Sequence, residues 1–326
     1  MSSVTTTQAA ILSKIAEKDN YLSDLPRHNV NPLWKTTGVV APRPSPAASI
    51  ALWKYEELRP LMMSAARLID AEEAQRRVLI FTNPSMKPPY TTDTITCGLQ
   101  LIKPGETAAP HRHYAFAIRF IIEGTAGFTS VDGERITMEA GDMVLTPSWT
   151  WHDHGLDGED PMIWLDANDL PLYHKLPIHF AENYPEPLYP TKPIDNSDMF
   201  RFPWAKMKAQ LDLQDGDYVV ETYRKPDGTH VSSTLGAHAL RLKAGKSSTP
   251  IRATCSFVFH SQAGSGKTVI EGANGEVKTL SWTVHDTFAV PAWSRITHVA
   301  EPNTDAYLFS LSDMPLLENL NMYRVE

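Results

Sequence analysis

The stretches GETAAPHRHYAFAIRFIIEG at residues 105–124 and GDMVLTPSWTWHDHG at residues 141–155 decide the fold of this chain. His111 and His113 stand two positions apart in a segment with the texture of a β-strand, so both side chains leave the same face of a sheet. His152 follows another predicted strand, which an antiparallel barrel can bring opposite the first pair. Three imidazoles on one side of a divalent cation leave its other positions open, which is typical of a catalytic metal site.

Short β-rich runs separated by turn residues surround these histidines. They are VLIFT (78–82), TITCGLQLI (94–102), AIRFIIEG (117–124), GFTSV (127–131) and MVLTP (143–147). The dipeptide Asp132-Gly133 lies between two β-rich segments and predicts a tight hairpin. Regularly spaced short strands of this kind indicate a sandwich or a barrel.

A second β-rich block, at about 235–312, repeats features of the first. LIKPG at 101–105 matches RLKAG at 241–245, and DMVLTPSW at 142–149 matches DTFAVPAW at 286–293. The Asp132-Gly133 turn has its counterpart in Asn274-Gly275. An internal duplication explains these matches, so we expect two similar barrels in tandem.

The histidines also fall within two recognisable motifs. The motifs read Gly105-x5-His111-x-His113, then Gly124, then Gly141-x5-Pro147-x4-His152. Their order and spacing resemble the two motifs of cupins. The resemblance implies a mainly-β bicupin fold, with two jelly-roll (double-stranded β-helix) barrels, an N-terminal helical arm and a connecting segment. Cupins usually carry a glutamate near position 117, and Ala117 at that place favours a site made of three histidines.

The expected boundaries follow from the β-rich texture and the repeat. Residues 1–77 are expected to form an N-terminal arm with helices, and residues 78–170 the metal-binding first cupin. Residues 171–230 are expected to connect it to a degenerate second cupin at residues 231–326.

The runs HRHYAFAIRFIIEG (111–124) and LTPSWTWHDHG (145–155) are similar to those of the gentisate and salicylate 1,2-dioxygenase group. The resemblance implies an Fe(II)-dependent, ring-cleaving dioxygenase that inserts both atoms of O2 into a hydroxylated benzoate. Gentisate would give a maleylpyruvate-type product. It also implies one iron per chain, held in the N-terminal cupin by His111, His113 and His152, and assembly into a homotetramer. Expected partners are a small aromatic acid and O2.

The same resemblance suggests roles for further residues. Arg119 is expected to bind the substrate carboxylate, because a guanidinium presents a planar fork to carboxylates. His154 and Asp166 are expected to position substrate and protons, and Gln100 matches a substrate-contacting or supporting position. Either Arg76 or Arg77 is expected to supply a further positive charge.

Two departures from the group fall where the aromatic ring would lie. Thr96 stands where the group commonly has tryptophan, and Phe116 stands where it usually has a small polar residue. We therefore expect both residues to contact the substrate, which would make gentisate only one of several candidates. One alternative is a cupin oxygenase of another hydroxyarene or quinol in a biosynthetic pathway. Another is a non-catalytic cupin that binds a metal or a small acid.

The second cupin is expected to lack a metal site. Ile251 and Ala253 stand where the first cupin has His111 and His113. Ile296 stands where it has His152, and only His298 matches its counterpart, His154. A barrel without ligands is expected to serve packing and assembly.

Composition narrows the partners. The chain carries 30 Lys and Arg against 38 Asp and Glu, a formal net charge of −8, which argues against nucleic acid or an anionic membrane surface as a partner. Cys97 and Cys255 do not form a disulfide framework, and no apolar run approaches the roughly 18 residues of a membrane span. A cytoplasmic protein is expected.

Overall fold

The computed structural model describes residues 2–36, 41–74, 76–194 and 197–326, which fall into two units, Met1–Arg43 and Pro44–Glu326. The first unit holds helix α1 (Ser2–Asp24), followed by 3₁₀ turns at Leu25–His28 and Leu33–Lys35. Pro26 has no amide hydrogen to donate, so α1 ends just before it. Within the described chain no helix is both long and apolar enough to cross a membrane.

The second unit opens with a short strand and two helices. These are β1 (Ala51–Trp53), α2 (Tyr55–Leu68) and α3 (Ala71–Ala74). Helix α2 buries Tyr55, Met62 and Ala66, which share one face of the helix because they are seven and four residues apart. The described part of the predicted arm is therefore helical, but it also supplies a strand.

Nine strands follow, and they build the first barrel. They are β2 (Arg77–Ile80), β3 (Thr96–Ile102), β4 (Thr107–His113), β5 (Ala117–Glu123), β6 (Gly127–Val131), β7 (Glu134–Met138), β8 (Met143–Thr146), β9 (His152–Leu156) and β10 (Met162–Asn168). Asp132 and Gly133 join β6 to β7 with φ of 49° and 91°. Two residues with positive φ are what a type I′ hairpin requires, and the predicted hairpin is confirmed.

The segment between the barrels is more structured than a linker. It contains α4 (Leu170–Lys175), β11 (Ala181–Asn183), β12 (Lys192–Ile194), β13 (Arg201–Phe202), α5 (Trp204–Asp212) and β14 (Tyr218–Thr222). Strands β11 and β12 flank one sheet of the first barrel, β11-β4-β9-β6-β7-β12, and β13 flanks the other, β13-β8-β5-β10-β3-β2. All pairings in these two sheets are antiparallel except that of β12 with β7.

The second barrel repeats this architecture. Its strands are β15 (Gly236–Leu242), β16 (Ile251–Arg252), β17 (Phe257–Ala263), β18 (Gly266–Glu271), β19 (Val277–Trp282), β20 (Thr287–Val290), β21 (Arg295–Ala300) and β22 (Ala306–Ser312), followed by α6 (Met314–Asn319). They form the sheets β1-β20-β17-β22-β15-β14 and β16-β21-β18-β19. The predicted mainly-β fold with two related barrels is confirmed.

Alternation along the strands separates the core from the barrel interior. In β5, Ile118, Phe120 and Ile122 belong to a core shared by both barrels, and Phe120 stacks on Phe309 of the second barrel with ring centroids 4.3 Å apart. Arg119 therefore faces into the first barrel, since neighbouring residues of a strand face opposite sides. This register positions the site described next.

Candidate metal centre

Three histidine side chains converge in the first barrel. His111 and His113 lie at the end of β4, and His152 is the first residue of β9. The antiparallel register places His111 opposite His152. The ring centroid of His152 lies 4.2 Å from that of His111 and 4.8 Å from that of His113, and one ligand nitrogen from each ring lies within 4.8 Å of the others. One cation can reach all three.

Main-chain carbonyls fix the orientation of each ring. The Nδ1 atoms of the three histidines lie 2.9, 2.8 and 2.9 Å from the carbonyl oxygens of Ala109, Ala115 and Thr150, in that order. A carbonyl only accepts, so each Nδ1 carries the proton and each Nε2 keeps a lone pair. Nε2 of His152 is buried without a hydrogen-bond partner in the described chain. A metal ligand held by a second hydrogen bond has this arrangement.

The surroundings keep the three imidazoles neutral. Burial, helped by the positive charge of Arg76, lowers the pKa of His111 to about 3 and that of His113 to about 4. Burial also lowers the pKa of His152 well below its usual value. Neutral imidazole is the form that binds a metal, so the donor set fits a divalent transition metal. Among the described residues this is the one group of three or more potential ligands that lies close enough together.

Arg119 lies in the interior beside this group. Its Nη1 donates to Thr129 Oγ1 at 3.1 Å and to Thr146 Oγ1 at 2.9 Å. Its Nε lies 3.5 Å from Asp166 Oδ1, which is an ion pair, but Nε makes no hydrogen bond within the described chain. Burial lowers the pKa of Arg119 and raises that of Asp166, and each charge opposes the shift of the other. The two predicted residues are thus brought together.

The two arginines that the sequence could not separate have different partners. Arg77 is buried. It donates from Nη2 to Glu106 Oε1 at 2.8 Å and from Nε to Ile69 O at 2.8 Å. Arg76 reaches the metal group instead, with Nη1 3.1 Å from His111 Nε2. The further positive charge at the site therefore comes from Arg76, and Arg77 anchors β2.

Gln100 and His154 form a hydrogen-bonded pair in the interior. The amide Nε2 of Gln100 lies 2.8 Å from His154 Nε2. An amide N–H only donates, so His154 carries its proton on Nδ1, and that buried group has no partner in the described chain. Burial, with Arg119 next in importance, lowers the pKa of His154 well below its usual value. A neutral imidazole with a free N–H can donate to an oxygen of a bound molecule.

Thr96 and Phe116 lie on opposite sides of one sheet. Thr96 is buried on the same face of β3 as Gln100, and its Oγ1 has no partner among the described residues. Phe116 packs in the core shared by the two barrels. The predicted contact between Phe116 and a substrate is therefore not supported, because its side chain leaves the other face of the sheet.

Comparisons with known proteins agree with this geometry. Residues 98–168 match the family model described as Cupin domain. The chain is 35% identical to gentisate 1,2 dioxygenase 1 of Aquipseudomonas alcaligenes, over 94% of this chain and 96% of that protein. It is also 35% identical to 5-aminosalicylate 1,2-dioxygenase of Comamonas sp, over 92% and 88%. The chain belongs to the gentisate and salicylate 1,2-dioxygenase family.

A solved structure extends this likeness to the whole architecture. The salicylate 1,2-dioxygenase of Pseudaminobacter salicylatoxidans has a TM-score of 0.86 and 28% identity, covering 95% of this chain and 97% of that one. The same enzyme has been solved as an adduct with gentisate. The recognised family and the bicupin fold of this dioxygenase-family member are therefore confirmed.

The second barrel of this family member keeps the backbone of the site and replaces its side chains. Ile251 pairs with Ile296 in the register that His111 and His152 occupy in the first barrel. Phe259 lies at the position of Arg119, as their equivalent pairings show. Both Ile296 and Phe259 belong to an apolar core that fills this barrel.

One interior pair shows what Arg119 changes. In the second barrel His298 Nδ1 lies 2.8 Å from Thr268 Oγ1. The equivalent Thr129 instead accepts from Arg119 and donates to Asp153 O at 2.8 Å, so His154 Nδ1 has no partner among the described residues. The sequence did not single out Thr129 or Thr146. Their even spacing from inward-facing neighbours could have placed them on the interior face, but not beside Arg119.

Proposed function

We propose that the chain is an Fe(II)-dependent, ring-cleaving dioxygenase of a hydroxylated benzoate, with one iron per chain in the first barrel. The observation that carries the proposal is the convergence of three neutral imidazoles with two guanidinium groups in one barrel. Relatives that act on gentisate and on 5-aminosalicylate support this substrate class. Gentisate is the first candidate, and its cleavage between the carboxyl-bearing and hydroxyl-bearing carbons would give a maleylpyruvate-type product.

Bound iron(II) would supply a redox-active centre at which an aromatic substrate and O2 are brought together. The arginines supply the charge that such a substrate needs. Arg119 is held by Thr129, Thr146 and Asp166, and so presents a fixed guanidinium to a carboxylate. In the structure Arg76 donates a hydrogen bond to His111 Nε2. We propose that its guanidinium turns to the substrate carboxylate when this nitrogen binds the metal.

The remaining polar residues act on protons and orientation. His154 would donate from Nδ1 to the ring hydroxyl oxygen of the substrate, because Gln100 holds its other nitrogen. Asp166 would orient Arg119 and balance its charge in the buried interior. Neither role needs a residue outside the first barrel.

The small side chain of Thr96 favours a second class of candidate substrates, with larger rings than gentisate. Thr96 lies opposite Asn168, which in turn lies opposite Ala117, and Ala117 pairs with Thr146. We propose that this row of short side chains accommodates a larger or more substituted ring than gentisate. A relative from Nocardioides that is a 1-hydroxy-2-naphthoate 1,2-dioxygenase, 29% identical, supports this alternative.

We also propose a cytoplasmic homotetramer. The family resemblance supports the assembly, and exposed apolar side chains in the first barrel's flanking segment, Leu176, Ile178 and Phe180, are suited to a contact between copies. The two cysteines are free and buried, which suits a reducing compartment.

The proposal is tested by oxygen consumption. The protein is loaded with Fe(II) without oxygen, and O2 uptake and ultraviolet spectra are then recorded with gentisate, salicylate, 5-aminosalicylate and 1-hydroxy-2-naphthoate. We expect stoichiometric uptake and a new ring-cleavage chromophore with at least one of them. His113→Ala is expected to abolish both, because two imidazoles do not hold the metal in place.

The control is His230→Ala, which removes a histidine at the end of the connecting segment that is hydrogen-bonded to Glu318. It is expected to keep full activity. If the iron-loaded protein consumes no oxygen with any of the four acids, the hydroxybenzoate dioxygenase proposal fails. A cupin oxygenase of another hydroxyarene or quinol, or a non-catalytic metal-binding cupin, then becomes the better description.

A further inference from the structure

Arg112 lies between the first two histidine ligands in sequence, and its side chain leaves the opposite face of β4. Its guanidinium carbon lies 4.6 Å from the centroid of the Trp149 ring and 4.5 Å from that of Trp151. Its Nε and Nη2 donate to Glu182 Oε2 of β11 at 2.9 and 2.6 Å. One guanidinium is thus flanked by two indoles and bound by a carboxylate. The cation–π contacts and the charged hydrogen bonds act together to hold it in place.

These two tryptophans border the residue that orients the third ligand. Thr150 lies between them, and its carbonyl oxygen accepts the hydrogen bond from His152 Nδ1 at 2.9 Å. Trp149 adopts a left-handed φ of 62°, and its amide donates to His113 O at 2.7 Å. The position of the Thr150 carbonyl therefore depends on how Trp149 and Trp151 are held.

The second barrel has the same loop without this stack. Trp293 has a φ of 61°, and its amide donates to Ala253 O at 2.7 Å, as Trp149 does to His113. Arg295 takes the place of Trp151, and Arg252, which takes the place of Arg112, donates to Glu271 Oε1 at 2.9 Å. No described aromatic ring lies beneath Arg252. The loop therefore forms without the stack, and the stack occurs in the barrel that has the three histidines.

We propose that Arg112 is a positioning residue of the metal site. Held by Glu182 and between the two indoles, it fixes the Thr150 carbonyl and hence the ring plane of His152, while its own backbone joins His111 to His113. The proposal rests on the metal-binding part of the proposed function and not on the oxygen chemistry. A group that orients a metal ligand typically changes metal affinity by about 10- to 100-fold when it is removed.

The test measures the binding of Co(II) to the full chain. The parent protein is compared with Arg112→Met, which keeps the apolar stem, with Arg112→Lys, and with the matched control Arg252→Met. Affinity is obtained by chelator competition, and ligand geometry from the visible absorption of bound Co(II). We expect Arg112→Met to bind at least about tenfold more weakly and with an altered spectrum. Arg112→Lys should recover part of both, since an ammonium also binds indole faces.

Arg252→Met loses a comparable ion pair and is expected to bind Co(II) like the parent. Equal losses in Arg112→Met and Arg252→Met would overturn the proposal, since the effect would then be general destabilisation. An unchanged affinity and spectrum in Arg112→Met would also overturn it. If that variant does not fold, Glu182→Gln releases the same guanidinium from a half-exposed partner and is expected to weaken Co(II) binding in the same direction. A parent that does not bind Co(II) refutes the metal-binding function itself.

Discussion

Buried polar atoms without partners mark the interior of the first barrel. Within the described chain they include Thr96 Oγ1, Arg119 Nε, His152 Nε2 and His154 Nδ1. A buried polar group that makes no hydrogen bond costs about 1–3 kcal/mol of stability. A metal or a polar ligand that satisfies these atoms would recover this free energy. Ligands that bond to these atoms would therefore stabilise the first barrel, and this gain would add to their affinity.

Thr96 allows the stability cost of one unpartnered atom, and its contribution to ligand binding, to be measured. Thr96→Val keeps the shape of the side chain and removes the unpartnered hydroxyl, so we expect the free energy of unfolding to rise by about 1 kcal/mol. We also expect KM to rise for any substrate with a group that bonds this hydroxyl. Urea unfolding and steady-state oxygen uptake measure the two effects.

The control for this substitution is Thr94→Val. The hydroxyl of Thr94 donates to Asp313 Oδ2 at 2.7 Å, so its removal is expected to lower the free energy of unfolding. If Thr96→Val destabilises the protein as much as Thr94→Val does, the Thr96 hydroxyl has a partner in the folded protein, and its proposed contact with substrate loses its basis.

For single residues, the sequence predicted which residues form the site better than it predicted what their side chains contact. The spacing of His111 and His113 was enough to place both on one face of β4. Arg119 faces the same interior from β5, which belongs to the other sheet of the barrel. Phe116 is three positions from Arg119, so the same rule places it on the other face, and the prediction that it contacts substrate neglected this. The choice between Arg76 and Arg77 depends on where the chain enters β2, which alternation alone does not determine.

Each barrel anchors a flanking segment through an aspartate at an equivalent position. Asp142 precedes β8 and accepts from the Glu139 amide at 2.9 Å, and it also accepts from Arg201 of β13 at 2.6 Å. Asp286, its repeat in the second barrel, accepts from the Thr283 amide at 2.9 Å and from Lys54 at 2.7 Å. The duplicated turn thus recruits β13 to the first barrel and the β1–α2 junction to the second.

Asp286→Asn is expected to loosen this junction. It leaves the Lys54 ammonium without its buried partner and weakens the bond from the Tyr55 amide, which is 2.9 Å from Asp286 Oδ1. We expect a loss of about 2 kcal/mol and faster amide hydrogen exchange in β1 and the first turn of α2. Exchange followed by mass spectrometry measures the local effect.

The matched variant is Asp142→Asn, which should speed exchange in β13 and leave β1 unchanged. If Asp286→Asn does not change exchange in β1, the pairing of β1 with β20 holds the segment by itself, and the aspartate is not its anchor.

Elements of two or three residues were beyond the reach of the sequence. Strands β11, β12 and β13 have three, three and two residues, and such short runs show neither alternation nor a helical period. The sequence predicted only a connecting segment over residues 171–230. They become strands because the sheet edges of the first barrel offer unpaired main-chain groups, a tertiary effect that no local pattern encodes.

The two barrels put one backbone plan to different uses. Their sheets share a single core, in which Phe120 and Phe309 stack, so neither barrel is independent of the other. The second barrel has filled its interior with apolar side chains, and His298 is buried among them, 4.7 Å from Phe259 measured between ring centroids. His260 follows Phe259 along β17, so it leaves the opposite face of the sheet, where it is fully enclosed 5.6 Å from the ring centroid of Phe120. Burial lowers the pKa of both to about 3.

Acid should therefore destabilise the second barrel, as it should the first, whose buried histidines also have a lowered pKa. A histidine whose pKa is lowered by folding stays neutral in the folded chain, while the unfolded chain takes up a proton below its ordinary pKa of about 6.5. Stability is complete above that pH and is lost as pH falls from about 6.5 toward 3. Each such histidine would lower the free energy of unfolding by about 1 kcal/mol between pH 7.5 and 5.5.

His298→Gln separates this contribution from the rest, because glutamine does not titrate. Urea unfolding with a chelator present, at pH 7.5 and 5.5, is expected to show a smaller decrease for the variant than for the parent, by about 1 kcal/mol, even though the variant is less stable at both pH values. The comparison cancels the metal-site histidines, which both proteins retain. Equal decreases in parent and variant would mean that His298 titrates normally in the folded chain, and that the second barrel admits water around it.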